Sequence, residues 1–279
     1  MMTLLATLAV VAAAVSPGSA VAAPSSFYLA IGDSVTVATG PTSYPHLLLG
    51  HYHPAVPGLV LDDIGVGGAT TGSALSAGQY ATALRFLHSH RGHVALITVD
   101  LGGDDYVPCY TSTGVNSACT AQALVTIRRN LGTILAGLRR AAPGVPLIGM
   151  NYYNPFDAYW LSGGVFGPFA LSTIPPLLAL NGELDAIYGA TRTADVQDAF
   201  SATDMTTIVS SPWGEVPIGV DRACTWLNLQ CEPGSLAWFG IDPNAAGEAI
   251  IAQAFEHTIG TLCAPGRSLV RGRCRLARR

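Results

Sequence analysis

Apolar runs recur along the chain and stop at small or acidic residues, as strands buried in a sheet do. Tyr28-Leu29-Ala30-Ile31 ends at Gly32-Asp33-Ser34, and the small-residue segment Ala38-Thr39-Gly40 follows. Leu29 and Ile31 suit a central strand, and Gly32 permits a tight exit. A hydroxyl beyond it meets the crevice where open α/β sheets bind ligands. Gly-Asp-Ser is also ordinary turn composition, so the tripeptide alone does not make a nucleophile. Further apolar runs predict strands over 59–64, 94–99, 145–150 and 193–196. Helical spacing predicts helices over 44–49, 82–88, 121–140, 177–191 and 243–260. In the third, Leu124, Ile127, Leu131, Ile134, Leu135 and Leu138 share a face, and Pro143 and Gly144 stop it. Pro243 suits a first helical turn. A Gly/Pro-rich insertion over 162–176 interrupts the alternation, and 199–207 reads as a surface segment. Strands alternating with helices predict an α/β fold: a single doubly wound domain with a mainly parallel central sheet flanked by helices.

Composition narrows the functional classes. Charged residues are 11% of the 279 against 49% hydrophobic, and the formal net charge is -4. No basic stripe of the kind nucleic acid demands can be built from this. Without a long charged run, a neutral or small substrate is expected. Residues 1–23 stand apart. The chain is apolar from Leu4 to Val15 and ends in small residues around Ala20-Val21-Ala22-Ala23-Pro24. That resembles a secretory signal peptide without the usual positively charged start, the rival being an uncleaved apolar anchor. No second apolar stretch of about 18 residues follows. The mature domain, 24–279, is therefore expected to be secreted or extracytoplasmic, without stable membrane insertion, and monomeric.

Six cysteines fit that compartment. They fall as neighbouring couples, Cys109 with Cys119, Cys224 with Cys231 and Cys263 with Cys274. Short loops close most readily, so the sequential pairing is expected among the 15 possible. No Cys-x-x-Cys or Cys/His cluster at ligand spacing supports zinc, and no metal or cofactor is expected. His88-Ser89-His90-Arg91-Gly92-His93 reads as a solvated turn for the same reason.

Two further loops carry candidate chemistry. Gly65-Val66-Gly67-Gly68-Ala69-Thr70-Thr71-Gly72 has side chains small enough for backbone N–H groups to approach a ligand, although a flexible surface connection has the same composition. The strand over 94–99 runs into Asp100-Leu101-Gly102-Gly103-Asp104-Asp105, a second strand ending in glycine and carboxylate.

Taken in order, these stretches resemble the secreted SGNH (GDSL) hydrolases of actinomycete type. Ile31-Gly32-Asp33-Ser34 resembles the block carrying the serine nucleophile, and Gly65 to Thr71 resembles the family's Gly-Val-Ser-Gly-Ala-Thr-Thr loop. Leu101 to Asp105 is similar to Ile-Gly-Gly-Asn-Asp, Ile241 to Gly247 to Ile-His-Pro-Asn-Ala-Ala-Gly, and Tyr152-Tyr153-Asn154-Pro155-Phe156 to a recurrent family phrase. The resemblance implies a flavodoxin-like three-layer sandwich and hydrolysis of carboxylic esters, of lipid or acylated-glycan type, through an acyl-serine. Ser34 would be the nucleophile. A histidine would take its proton, and the backbone N–H groups of Ser34 and Gly68, with an asparagine side chain, would hold the oxyanion.

Two of these parts are replaced. Asp104 stands where the family has the asparagine and Asp242 where it has the histidine, and the acid expected just before that histidine falls on Gly240 or Phe239. A carboxylate with a reference pKa near 3.9 is a poor base toward a serine hydroxyl, and an ionised Asp104 would set negative charge where negative charge must develop. His257, fifteen residues past Asp242 in a predicted helix, is not expected to substitute. Three readings stay open: an ester hydrolase of weak or lost activity, a non-catalytic protein binding an acylated or glycan ligand in the old pocket, and a site where Asp33, Asp104 and Asp242 gather around a hard cation.

Overall fold

Ser26–Gly32 forms the central strand β1, and its nearly continuous burial explains why the segment carries so few polar side chains. The structure, a computed structural model, describes residues 26–37, 39–111, 114–262, 267–270 and 273–276, the side chains of 235–239 and 267–276 excepted. The signal-like segment 1–23 and the Cys263–Cys274 pairing lie outside the described residues. Four more strands join β1: β2 (Leu59–Asp63), β3 (Val94–Asp100), β4 (Leu147–Met150) and β5 (Thr193–Ala194). Their order is β2-β1-β3-β4-β5 and every pairing is parallel, with Ile31 opposite Val99 and Gly32 opposite Asp100. The order reverses between β1 and β3, so a crevice opens beyond their carboxyl ends.

Five long helices flank the sheet: α1 (Tyr44–Tyr52), α2 (Gln79–Ser89), α3 (Ser117–Ala141), α4 (Ile174–Tyr188) and α5 (Ala245–Leu262). Helices α2 and α4 pack against α3, whose Ile127, Leu131, Ile134, Leu135 and Leu138 are buried as their spacing predicts. Helices α1 and α5 pack together, with the Tyr44 ring stacked on Phe255 at 4.6 Å. Among the described residues two disulfides are formed, Cys109–Cys119 and Cys224–Cys231. No helix of the described residues is long and apolar enough to cross a membrane.

Several boundaries differ from the sequence reading. Helix α4 starts inside the supposed insertion, because Pro175 and Pro176 occupy its first turn, where a missing N–H leaves no bond unmade. The insertion also holds the helix Phe166–Ser172. Pro243 ends a strand, and α5 begins at Ala245 behind Asn244, whose side chain accepts from the N–H groups of Ala246 and Gly247. The stretch 199–207 is not wholly surface: Phe200 is buried and stacks on Tyr153.

The larger omission is 208–242, to which the pattern assigned no strand or helix. It forms a hairpin of Ile208–Ser211 with Gly214–Pro217, the helix Ile218–Trp226, and an antiparallel pair of Leu227–Glu232 with Ser235–Pro243. The signal was present: Leu227-Asn228-Leu229-Gln230-Cys231-Glu232 alternates apolar with polar, and burial alternates with it.

Candidate active site

Each edge of the crevice is set by a loop leaving a sheet strand. Beyond β1 the chain passes through Asp33 into the helical turn Ser34–Val37, which leaves the Ser34 N–H without an intrahelical acceptor. Gly32 is required by close approach: a Cβ there would lie 1.9 Å from Asp100 Oδ1 and 2.0 Å from Thr36 Oγ1.

Beyond β2, the glycine-rich loop folds over the Ser34 turn. The Val66 N–H donates to Gly32 O at 3.0 Å, and a Cβ on Gly67 would touch Ser34 Cβ at 3.9 Å. Gly68 has φ +75°, a conformation that glycine adopts without strain. The loop is pinned from the third block, where the Asp105 carboxylate accepts from the Thr71 N–H at 2.7 Å and from its hydroxyl at 2.8 Å. Asp105 is thereby engaged in structure.

Asp242 arrives from the other end of the chain on the strand Ser235–Pro243. The Tyr153 hydroxyl donates to Ile241 O at 2.8 Å, Asn228 Nδ2 to Pro243 O at 3.0 Å, and the Asn244 N–H to Trp226 O at 2.9 Å. A Cβ on Gly247 would meet Trp226 O at 2.2 Å. Most of the fourth block is therefore architecture that fixes one side chain. Held this way, Asp242 Oδ1 accepts the Ser34 hydroxyl hydrogen bond at 2.5 Å.

Ser34, Asp104 and Asp242 line one pocket, together with Asp33, Tyr152 and Tyr153. Gly68 is not among the lining residues; its loop neighbour Gly67 is what lies against Ser34. Val107, Tyr110, Phe156, Leu177 and Leu180 give the pocket an apolar wall. Its volume is about 60 Å³, several times the roughly 10–15 Å³ that a single water needs. No histidine lines it among the described residues, and His257 is exposed beside a different cavity with Arg222 and Trp226. No group of three or more His, Cys, Asp or Glu among the described residues is arranged to hold a metal ion.

The electrostatics are those of a nest of acids. Burial, reinforced by Asp242 and Asp105, raises the Asp104 carboxyl to about 6, and its Oδ2 is buried without a hydrogen-bond partner. Asp33 caps the turn by accepting from the Val35 N–H at 3.0 Å and also accepts from the Tyr152 hydroxyl at 2.7 Å. Burial and then the charge of Asp104 push it up to about 7. Behind it, Asp100 is held far above the ordinary range by burial and by Asp33, and takes the Tyr44 hydroxyl at 2.8 Å. Glu248 accepts from the Tyr44 N–H at 2.8 Å and is raised, by burial first, to about 8. Asp100 and Glu248 were missed as site-supporting groups. Their signal was an acid closing an all-apolar strand and an acid on the buried face of a helix.

A family model described as GDSL-like lipase/acylhydrolase matches residues 30–203. The chain belongs to this family. The match ends before Asp242, whose place in the site rests on the geometry above. Among solved structures, the GDSL fold of this chain resembles phospholipase A1 from Streptomyces albidoflavus NA297 (20% identity, TM-score 0.54, 84% of this chain and 99% of that one). It also resembles an extracellular lipase from Streptomyces rimosus (17%, 0.52, 84% and 100%) and a lipase from a goat rumen metagenome (13%, 0.55, 84% and 97%). At these identities the likeness is one of fold. No curated protein matches the sequence significantly.

Proposed function

We propose that this GDSL-family chain is a secreted, monomeric hydrolase of carboxylic esters, of lipid or acylated-glycan type, that acts through Ser34 and turns over slowly at neutral pH. Residues 1–23 direct export and 24–279 are the working domain. The observation that carries this reading is the 2.5 Å hydrogen bond from Ser34 Oγ to Asp242 Oδ1: the serine is presented to a base position, and a carboxylate fills it. Asp242 stands for the family histidine, Asp104 for the oxyanion asparagine, and the backbone N–H groups of Ser34 and Gly68 supply the remaining donors. Loss of one oxyanion donor costs about 10²–10³ in rate, and loss of the base about 10⁴ or more. The apolar wall and the small pocket volume favour a short acyl group. Disulfides at Cys109–Cys119 and Cys224–Cys231 support an oxidising, extracytoplasmic setting.

The test is turnover of short and long p-nitrophenyl esters at pH 7–8, with Ser34→Ala as reference. Slow hydrolysis is expected, faster for short acyl chains and only slightly above the Ser34→Ala rate. Fast hydrolysis abolished by Ser34→Ala would show that another base serves Ser34 and would sink the claim of slow turnover.

A further inference from the structure

Three carboxyl groups line the pocket. Asp33 is engaged by the Val35 N–H and the Tyr152 hydroxyl, which leaves two where a serine hydrolase needs one base and one oxyanion donor, and the two are not equivalent. Asp242 is the acceptor of the Ser34 hydroxyl at 2.5 Å, a position that suits an ionised carboxylate. Asp104 lines the same pocket, and its Oδ2 is buried with no donor to satisfy it. An ionised oxygen in that state is costly, whereas a carboxylic acid there carries an O–H free to donate into the pocket. We propose that the site is a working acid–base pair, with Asp242 as the carboxylate base for Ser34 and protonated Asp104 as the oxyanion donor, so that ester hydrolysis is confined to mildly acidic medium. This rests on the ester-hydrolase reading above and adds the roles of the two aspartates and the condition under which they operate.

The surroundings favour a single proton shared unequally. The charged groups that act on Asp104 are Asp242 from the strand before α5, Asp33 from the turn after β1 and Asp105 from its own turn, while Tyr106, Tyr110, Tyr152 and Tyr153 line the same pocket. No arginine, lysine or histidine lines the pocket among the described residues, so nothing cationic helps Asp104 to ionise. Two carboxylates in one site cannot both ionise cheaply, and a neutral carboxylic acid in an apolar site is a competent oxyanion donor. Burial and the charge of Asp242 accordingly raise Asp104 to about 6.

The reaction balances without any other group. Ser34 Oγ bonds to the ester carbonyl carbon, its proton passes to Asp242, and the carbonyl oxygen takes the hydrogen bond or proton of Asp104. Collapse restores Asp104, breaks the bond from carbon to the alkoxy oxygen, and sends the proton on Asp242 to that oxygen, releasing alcohol and leaving acyl-Ser34. Water then adds with its proton going to Asp242, and Ser34 departs with that proton, giving the carboxylic acid. A proton is given at one oxygen as another is taken, so the pocket gains no net charge at the moment of attack.

The experiment is the pH profile of kcat/KM for phenyl acetate, with the Ser34→Ala rate subtracted, for wild type, Asp104→Asn, Asp242→Asn and the double variant Asp104→Asn/Asp242→His. Wild type should be fastest in mild acid and fall about tenfold per pH unit above its upper limb near pH 6, since one deprotonation removes the donor. Asn donates at any pH, so Asp104→Asn should lose that limb and exceed wild type at pH 8 at least tenfold. Asp242→Asn should abolish Ser34-dependent turnover throughout. At pH 5, the intact mass of wild type should show an acyl adduct that Ser34→Ala lacks. A Ser34-dependent wild-type rate that is flat or rising from pH 5 to 8, or an Asp104→Asn profile of unchanged shape, would overturn the assignment. If wild type shows no acid maximum while the double variant turns over through Ser34, the carboxyl-pair inference falls alone. If the double variant is silent at every pH and wild type is silent too, the ester-hydrolase reading falls with it.

Discussion

The Ser34 hydroxyl donates to Asp242 over 2.5 Å although 208 positions separate the two residues in the chain. The distance in sequence is bridged by structure that has no chemistry of its own: the hydrogen bonds at Ile241, Pro243 and Asn244 hold the backbone that carries Asp242 beside Ser34. None of these bonds uses the side chain at 242, so it can be exchanged for another without removing them.

That gives the first prediction. At pH 8, Asp242→His alone should raise the Ser34-dependent rate little, because an ionised Asp104 still opposes the oxyanion. Asp104→Asn/Asp242→His should exceed both single variants by about tenfold or more, since base and donor act on one transition state and are strongly non-additive. Adding Gly240→Asp should raise it again. A Cβ at position 240 would sit 3.9 Å from Asp242 N and 4.0 Å from Asp242 Oδ2, close enough for a carboxylate there to fix an imidazole at 242. A well-folded double variant no faster than Asp242→His would show that the pocket no longer fits the family transition state.

Much of this frame was legible in the sequence. Unbroken apolar runs ending at Gly32 and Asp100 mark strands buried on both faces, and the α3 face from Ile127 to Leu138 follows from period alone. The short blocks carry the site because each glycine or asparagine answers a local demand, as Asn244 does in capping α5. What was not legible was tertiary. Phe200 lies in a polar stretch, and its burial depends on Tyr153 and Trp226, which come from other elements. Helix α4 was cut short because Pro175 and Pro176 read as breakers when they sit in its first turn. Neighbouring acids in one turn carry no sequence signature of their separate roles: Asp105 and Asp104 are adjacent and alike, yet one clamps Thr71 and the other faces the pocket.

The hairpin that delivers Asp242 is tied to the helix Ile218–Trp226 by Cys224–Cys231. Replacing both cysteines by serine should cost about 2 kcal/mol for so short a loop. It should also loosen the approach of Asp242 to Ser34, so the second prediction is a lower melting temperature together with a loss of Ser34-dependent turnover in mild acid. The same change at Cys109 and Cys119, which clip the start of α3 to the turn following β3, should lower the melting temperature as well. Paired thermal melts and phenyl acetate assays at pH 5 check this; a Cys224→Ser/Cys231→Ser variant with unaltered turnover would show that the hairpin keeps Asp242 in place unaided.

The third prediction concerns stability against pH, and its sign is set by buried acids whose carboxyls are raised on folding. Glu248 at about 8 and Asp33 at about 7 compare with unfolded values near 4.3 and 3.9. Between those limits the folded protein holds more protons than the unfolded chain, so the free energy of unfolding falls as pH rises. Their contribution is complete below about pH 4 and is lost as pH climbs through 7 and 8. Each unit of separation corresponds to about 1.4 kcal/mol, so the melting temperature should be highest near pH 5 and several degrees lower by pH 8.5. Asp204 works in the opposite direction, because hydrogen bonds from Thr207 and Thr206 hold its carboxyl below the ordinary range, but its loss belongs to stronger acid. Glu248→Gln separates the causes: its amide oxygen can keep the hydrogen bond from the Tyr44 N–H, now 2.8 Å long, while removing the titrating proton. That variant should melt like wild type at pH 5 and above it at pH 8.5. A wild-type melting temperature that rises from pH 5 to 8.5 would mean that these carboxyls are ionised in the folded protein and that the acid nest is stabilised in another way.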